Sequence, residues 1–164
     1  MSRDVQTQIV KYLEDAHAME EQSIKLCEKG ARIAGEVELA QLFHGHLSDS
    51  QEHERAVRQR LEALGAHPNP IKDTAQKGAA MALGALMQAM PDTPAKLMAV
   101  AFAFESYEIA CYTMLRTVAE QAGDQETIAL CERIVPVEQQ AAELIAQRFG
   151  DAAKASLEHV GVAA

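Results

Sequence analysis

A chain of 164 residues is long enough for one domain to bury a continuous core without disulfide staples. Apolar residues make up 48% but aromatics only 4%, with no Trp, so the core must be drawn from Ala, Leu, Val, Ile and Met, and the composition points to an all-α protein. A formal charge of -9 argues against a nucleic-acid binder, which needs clustered Lys and Arg, and against attraction to anionic lipid, so neither nucleic acid nor membrane is expected as a partner.

The N-terminal MSRDVQTQIV has no apolar signal core, and the apolar stretch from Ala79 to Met90 is too short to span a bilayer, which places the chain in the cytoplasm. A first helical segment runs over about 4–33, with Val5, Ile9, Leu13, Ala16, Glu20, Ile24, Cys27 and Ala31 recurring at three- or four-residue steps. Its apolar face is broken by Glu20. Gly35 punctuates the turn into a second segment, about 36–64, whose stripe is Leu39, Phe43, His46, Ser50, His53, Val57 and Leu61. Gly65 and the run His67-Pro68-Asn69-Pro70 end it.

A third segment over about 94–122 opens on Thr93 and Pro94, a cap and a residue suited to the first helical position. Leu97, Ala101, Phe104, Glu105, Glu108, Tyr112 and Leu115 form its stripe, with Cys111 beside it. The fourth segment, about 124–149, starts at the capping Asp124 and turns Ile128, Cys131, Val135, Glu138, Ala142 and Ile145 inward. Pro136 removes one backbone bond there and predicts a kink before Glu138. The Ala-rich tail after Gly150 reads as a frayed or short docked helix. The residues between the second and third segments, 66–93, are too many for a tight turn, so connections run short, long, short. Within this crossover, about Lys72 to Met90 reads as a smaller helix whose Met81, Leu83, Leu86, Met87 and Met90 cover the bundle or a neighbouring subunit. The whole chain, 1–164, is expected to be a single domain.

Each of the four inward stripes is interrupted by an ionisable group. The candidates are Glu20 on the first helix, Asp49 and His53 on the second, Glu105 and Glu108 on the third, and Glu138 on the fourth. A buried unpaired carboxylate costs on the order of several kcal/mol, so several in one core call for cations or protons. Glu105 and Glu108 are three residues apart and Asp49 and His53 four, so each pair can aim at one point from a single helical face. Carboxylates with an imidazole suit iron or manganese, and bridging carboxylates let two such ions share one box between helices. The same groups could instead lie on the rims of their stripes and reach water.

Other signals are weaker. His44 and His46 diverge by about 200° on a helix and cannot share an ion; His46 points inward and reads as a hydrogen-bonded core residue, while His17, His67 and His159 read as solvated. Tyr107 and Tyr112 are packing groups with a hydroxyl to satisfy. Cys27, Cys111 and Cys131 lack any CxxC spacing and read as reduced core residues. No nucleophile elbow, phosphate loop or nucleotide fingerprint occurs.

The run Leu13-Glu14-Asp15-Ala16-His17-Ala18-Met19-Glu20-Glu21-Gln22, then Phe43-His44-Gly45-His46-Leu47 with Asp49 and Ser50, then Glu105-Ser106-Tyr107-Glu108-Ile109-Ala110 with Tyr112, resembles the YciE/YciF family of bacterial ferritin-like proteins. The resemblance covers essentially the whole chain. It implies a ferritin-like four-helix bundle, often a homodimer, with a dinuclear metal site and a link to stress responses but no settled catalytic activity. Carried over, the family's acids fall on Glu20, Asp49, Glu105, Glu108 and Glu138. Ser50 stands where a di-iron Glu-x-x-His motif has Glu, Ala141 where it has His, and Ala142 where the family has a further acid. The competing reading is a non-enzymatic, stress-associated dimeric bundle whose degenerate site holds no metal.

Overall fold

The computed structural model describes residues 3–68 and 93–162, and all regular structure among them is helical. The helices are α1 (Arg3–Ile33), α2 (Val37–Ala63), α3 (Pro94–Ala122), α4 (Gln125–Gln147) and α5 (Phe149–His159). The turn from α1 to α2 uses Gly35 at φ 78°, and the turn from α3 to α4 uses Gly123 at φ 69°, a left-handed conformation that costs glycine least. Asp124 then caps α4, its carboxylate accepting from Thr127 N–H at 3.1 Å. Pro94 opens α3 at a position where its missing N–H costs nothing.

Interhelical contacts fix the directions of the four long helices. Gly30 lies against Phe43, Ser23 against Ser50 and His17 against Glu54, so α1 and α2 run antiparallel. Glu20 meets Tyr112 while Gly35 meets Pro94, so α1 and α3 are antiparallel as well. α2 and α3 are therefore parallel, so the end of α2 and the start of α3 lie at opposite ends of the bundle, about 40 Å apart for a helix of this length. Arg60 against Thr127 and His53 against Glu138 make α2 and α4 antiparallel. This is the ferritin-like arrangement, with a long crossover between the second and third helices. The small helix expected over about Lys72 to Met90 lies outside the described residues.

The core is Leu, Ile, Val, Ala and Met with Phe43, Phe104 and Tyr112. Gly30 lets α2 press its Phe43 ring onto the α1 backbone. The second and third stripes read from the sequence are the buried ones, Cys111 being half-buried at its edge. Two stripes are rotated. In α4, Leu130 and Ile134 are buried and Ile128 and Val135 only partly so, while in the second half of α1 Ser23 and Leu26 are buried and Ile24 and Ala31 only partly so. α4 continues through Pro136 and breaks only at Arg148. The tail is the docked helix α5, held on α3 by Ala95 N–H donating to Ser156 Oγ at 2.7 Å and by Phe102 edge-on to Phe149 with centroids 5.5 Å apart. Among the described residues no helix is long and apolar enough to cross a membrane.

Candidate metal centre

Halfway along the bundle, where an apolar layer would be expected, ionisable groups from all four long helices meet. Glu20 of α1, Glu108 of α3 and Glu138 of α4 are fully buried, Glu105 is 2% exposed, and His46 and His53 of α2 are 6% and 7% exposed. Helical spacing explains the convergence. Positions 46 and 53 are two turns apart on one stripe, and 105 and 108 are one turn apart on another, so each helix delivers its groups to one side.

Glu138 is the hub. Its Oε2 lies 3.4 Å from His46 Nε2 and its Oε1 lies 2.8 Å from His53 Nδ1. Around these contacts the donors fall into two sets, His46, Glu105, Glu108 and Glu138 in one and Glu20, His53 and Glu138 in the other; within each, one donor atom per residue lies within 4.8 Å of the rest. His46 Nε2 also lies 3.1 Å from Glu105 Oε2. The short distances do not amount to satisfied hydrogen bonds. Both oxygens of Glu108 and of Glu138, Glu20 Oε2, Glu105 Oε2, His53 Nδ1 and both His46 nitrogens are buried without a hydrogen-bond partner. Glu20 Oε1 is an exception, accepting from the buried Tyr112 hydroxyl at 2.5 Å.

Burial without cations strains the ionisation of these groups. Burial, then the charges of Glu20 and Glu138, holds the Glu108 carboxyl well above the usual carboxylate range, and burial with Glu138 does the same to Glu20. Burial lifts Glu105 to about 7, against the opposing pull of His46. Burial alone would lower His46, but Glu105 and Glu138 outweigh it and raise that imidazole to about 9. At Glu138, burial is overcome by His53 and His46, and the carboxyl falls below its ordinary value. Without metal the cluster therefore keeps protons on some acids. The donor set fits divalent cations: two such ions would balance the four carboxylates while leaving both imidazoles neutral.

The six candidates from the sequence are placed unequally. Glu20, His53, Glu105, Glu108 and Glu138 converge in the two sets, whereas Asp49 does not join them. Asp49 is half-exposed at the edge of the α2 stripe, and its short side chain stops 4.0 Å from His46 Nδ1, on the side of the ring turned away from the cluster. His46, read as an ordinary core histidine, stands in its place; the signal for it was the seven-residue step to His53. Ser50 is fully buried and bonded to Ser23 Oγ at 3.0 Å and to the His46 carbonyl at 3.1 Å, so a hydroxyl pair occupies the space of the missing Glu. Ala141 and Ala142 are buried and contribute no donor. His17 is a correction: it is 8% exposed and joins Glu54 across α1 and α2 at 2.8 Å rather than facing water. His67 and His159 are exposed, and the three cysteines are free.

The family model described as a domain of unknown function, DUF892, matches residues 5–158. Protein YciF of Escherichia coli strain K12 is 26% identical over 140 residues, 83% of this chain and 84% of YciF. The crystal structure of YciF, described as a stress protein, superposes with a TM-score of 0.77 at 23% identity over 93% of this chain and 99% of that one. A Xanthomonas campestris pv. campestris protein gives 0.76 at 28% identity, covering 96% of this chain and 99% of its own. Ferritin-like, diiron-carboxylate proteins from Bacillus anthracis give 0.73 at 19% identity over 91% of this chain and 99% of that chain, a likeness of fold. The match over nearly the whole chain and the shared bundle make this protein a member of the DUF892 family, the YciF-type ferritin-like proteins.

Proposed function

We propose that this protein binds two iron or manganese ions between its four long helices and serves in metal or oxidant handling under stress, as a cytoplasmic homodimer. The observation that carries the reading is Glu138: a fully buried carboxylate with one oxygen turned to each histidine and neither oxygen hydrogen-bonded. A carboxylate that bridges two ions has this geometry. His46, Glu105, Glu108 and Glu138 would hold one ion, and Glu20, His53 and Glu138 the other. Bound there, iron or manganese would supply Lewis-acid and one-electron chemistry toward small oxidants. The chain itself buries the centre between its helices, orients Glu20 through the Tyr112 hydroxyl, and keeps a phenolic proton beside it. Stress is the setting of the related YciF, and unpaired thiols suit a reducing compartment.

A second reading has its own support. His46 and Glu138 neutralise each other in part, and burial favours protonated Glu20 and Glu108, so the cluster can persist without metal as a structural core of a non-enzymatic dimer. Elemental analysis separates the two. Protein prepared without chelator should carry iron or manganese that a Glu20→Ala, Glu108→Ala double variant lacks; equal metal content in the two preparations would leave only the second reading standing.

A further inference from the structure

We infer that the two cation positions are unequal: that of His46, Glu105, Glu108 and Glu138 is the resident site, and that of Glu20, His53 and Glu138 is readily vacated and open to a small exogenous anion. This rests on the proposed metal function and goes beyond it.

The donor inventory differs on the two sides. The first position draws on four residues, three of them carboxylates, and Glu108 brings two unpartnered oxygens. The second draws on three residues, two of them carboxylates, one of which is the shared Glu138. Its Glu20 is further restricted, because Oε1 already accepts from Tyr112 and only Oε2 is unpartnered. A hard divalent ion seeks about six donors, so three protein residues leave about half of its coordination positions to solvent or to an added ligand. Among the described residues, the helix positions one turn from its ligands do not fill them. Ser50, one turn before His53, is tied to Ser23 and to the His46 carbonyl, and Ala141, one turn after Glu138, has no donor atom. Fewer charges and fewer donors weaken the hold on a cation, and open positions beside it admit anions such as azide.

Cobalt(II) titration of the full chain tests this by calorimetry and visible absorption together. Two binding events are expected, the first ion bound at least about tenfold more tightly than the second, since even outer-sphere changes alter affinity by about that factor. His53→Gln should abolish the second event and weaken the first by no more than about tenfold through the shared Glu138, while Glu105→Gln should weaken the first. Azide should change the cobalt spectrum only after the second equivalent. Each variant's melting curve in chelator confirms that it folds, and His53→Asn replaces His53→Gln if the latter does not melt cooperatively. Two ions binding as one indistinguishable class, a His53 variant that weakens the first event as much as the second, or an azide response at the first equivalent would each overturn the inference while leaving the metal function intact. No cobalt binding at all would overturn both.

Discussion

The sharpest expectation concerns stability with and without metal, because the cluster should destabilise the fold in one state and stabilise it in the other. In the proposed centre two positions share Glu138. An ion bound only by the folded chain adds about 2.7 kcal/mol at a free concentration 100 times its dissociation constant, so filling both positions to at least that degree adds about 5 kcal/mol or more. For a chain of this size that corresponds to a rise in Tm of about 10–20 °C between chelator and saturating manganese. Glu108→Gln should reverse part of this pattern. Glu108 is fully buried with both oxygens unpartnered, and its carboxyl is held well above the usual 4.5 by burial and by Glu20, Glu138 and Glu105. A carboxyl raised in this way favours the fold only below its unfolded pKa, and that contribution is lost as pH climbs from 4.5 toward the folded value. The amide never ionises. Glu108→Gln should therefore melt higher than wild type in chelator at pH 7, equal to it at pH 4, and gain less from manganese. Differential scanning calorimetry in chelator and in manganese at the two pH values reads all of this. A wild-type Tm indifferent to manganese, together with a Glu108→Gln protein less stable than wild type in chelator at pH 7, would refute the electrostatic account.

Two further expectations probe the scaffold. A Cβ on Gly30 would sit 2.6–2.8 Å from the Phe43 ring, so Gly30→Ala should cost about 1–3 kcal/mol through overpacking, somewhat offset by helix propensity. The urea midpoint should fall with unchanged slope, equally in chelator and in manganese, since Gly30 lies outside the acid cluster. At the other end of α2, Arg60 donates to both oxygens of Asp124 at 2.8 Å, and Asp124 also caps α4. Asp124→Ala should cost about 1–2 kcal/mol at pH 7. Burial pushes the Asp124 carboxyl up, but the bonds from Arg60 and Thr127 bring it below its ordinary 3.8, so its contribution exists above that pH and fades as pH drops through the lower folded value. Urea unfolding curves of variant and wild type should accordingly converge in strong acid.

The helices, their order and the long link were legible because each rests on a local signal: periodicity, capping residues and the breakers Gly35, Gly65 and Gly123. The rotation of a helix about its axis is less local. Over 31 residues α1 carries two overlapping candidate stripes, and what turns Ser23 and Gly30 inward rather than Ile24 and Ala31 is the neighbour, Ser50 and Phe43 of α2. In α4 the same ambiguity set Val135 against Ile134, one residue apart, and packing chose Ile134. Within the site, Asp49 and His46 lie on neighbouring flanks of α2, and the sequence cannot say which reaches the axis. The longer ring pointing inward does so, and the short acid ends at the surface. His17 reads as solvated in the sequence for a related reason, since its partner Glu54 sits 37 positions away.

The broken Glu-x-x-His motifs illustrate the same point at the level of chemistry. Counted by motif, Ser50 and Ala141 remove one carboxylate and one imidazole from a two-metal pattern. Counted by atoms that meet, the centre still gathers four carboxylates and two imidazoles, because α3 supplies two acids and α2 supplies two histidines. Four helices facing one axis can exchange which of them provides a donor, provided the charges sum and the atoms converge. The exchange has a physical consequence at α2, where the serine in the vacated ligand position bonds the carbonyl of His46 and packs against Ser23. The hydroxyl pair satisfies polar groups that a carboxylate there would have turned toward an ion. Restoring that carboxylate by Ser50→Glu would bring a fifth acid into a space closed by Ser23, and two divalent ions could no longer balance the cluster. Ser50 and His46 are thus coupled through one hydrogen bond, and a carboxylate at position 50 would disturb both.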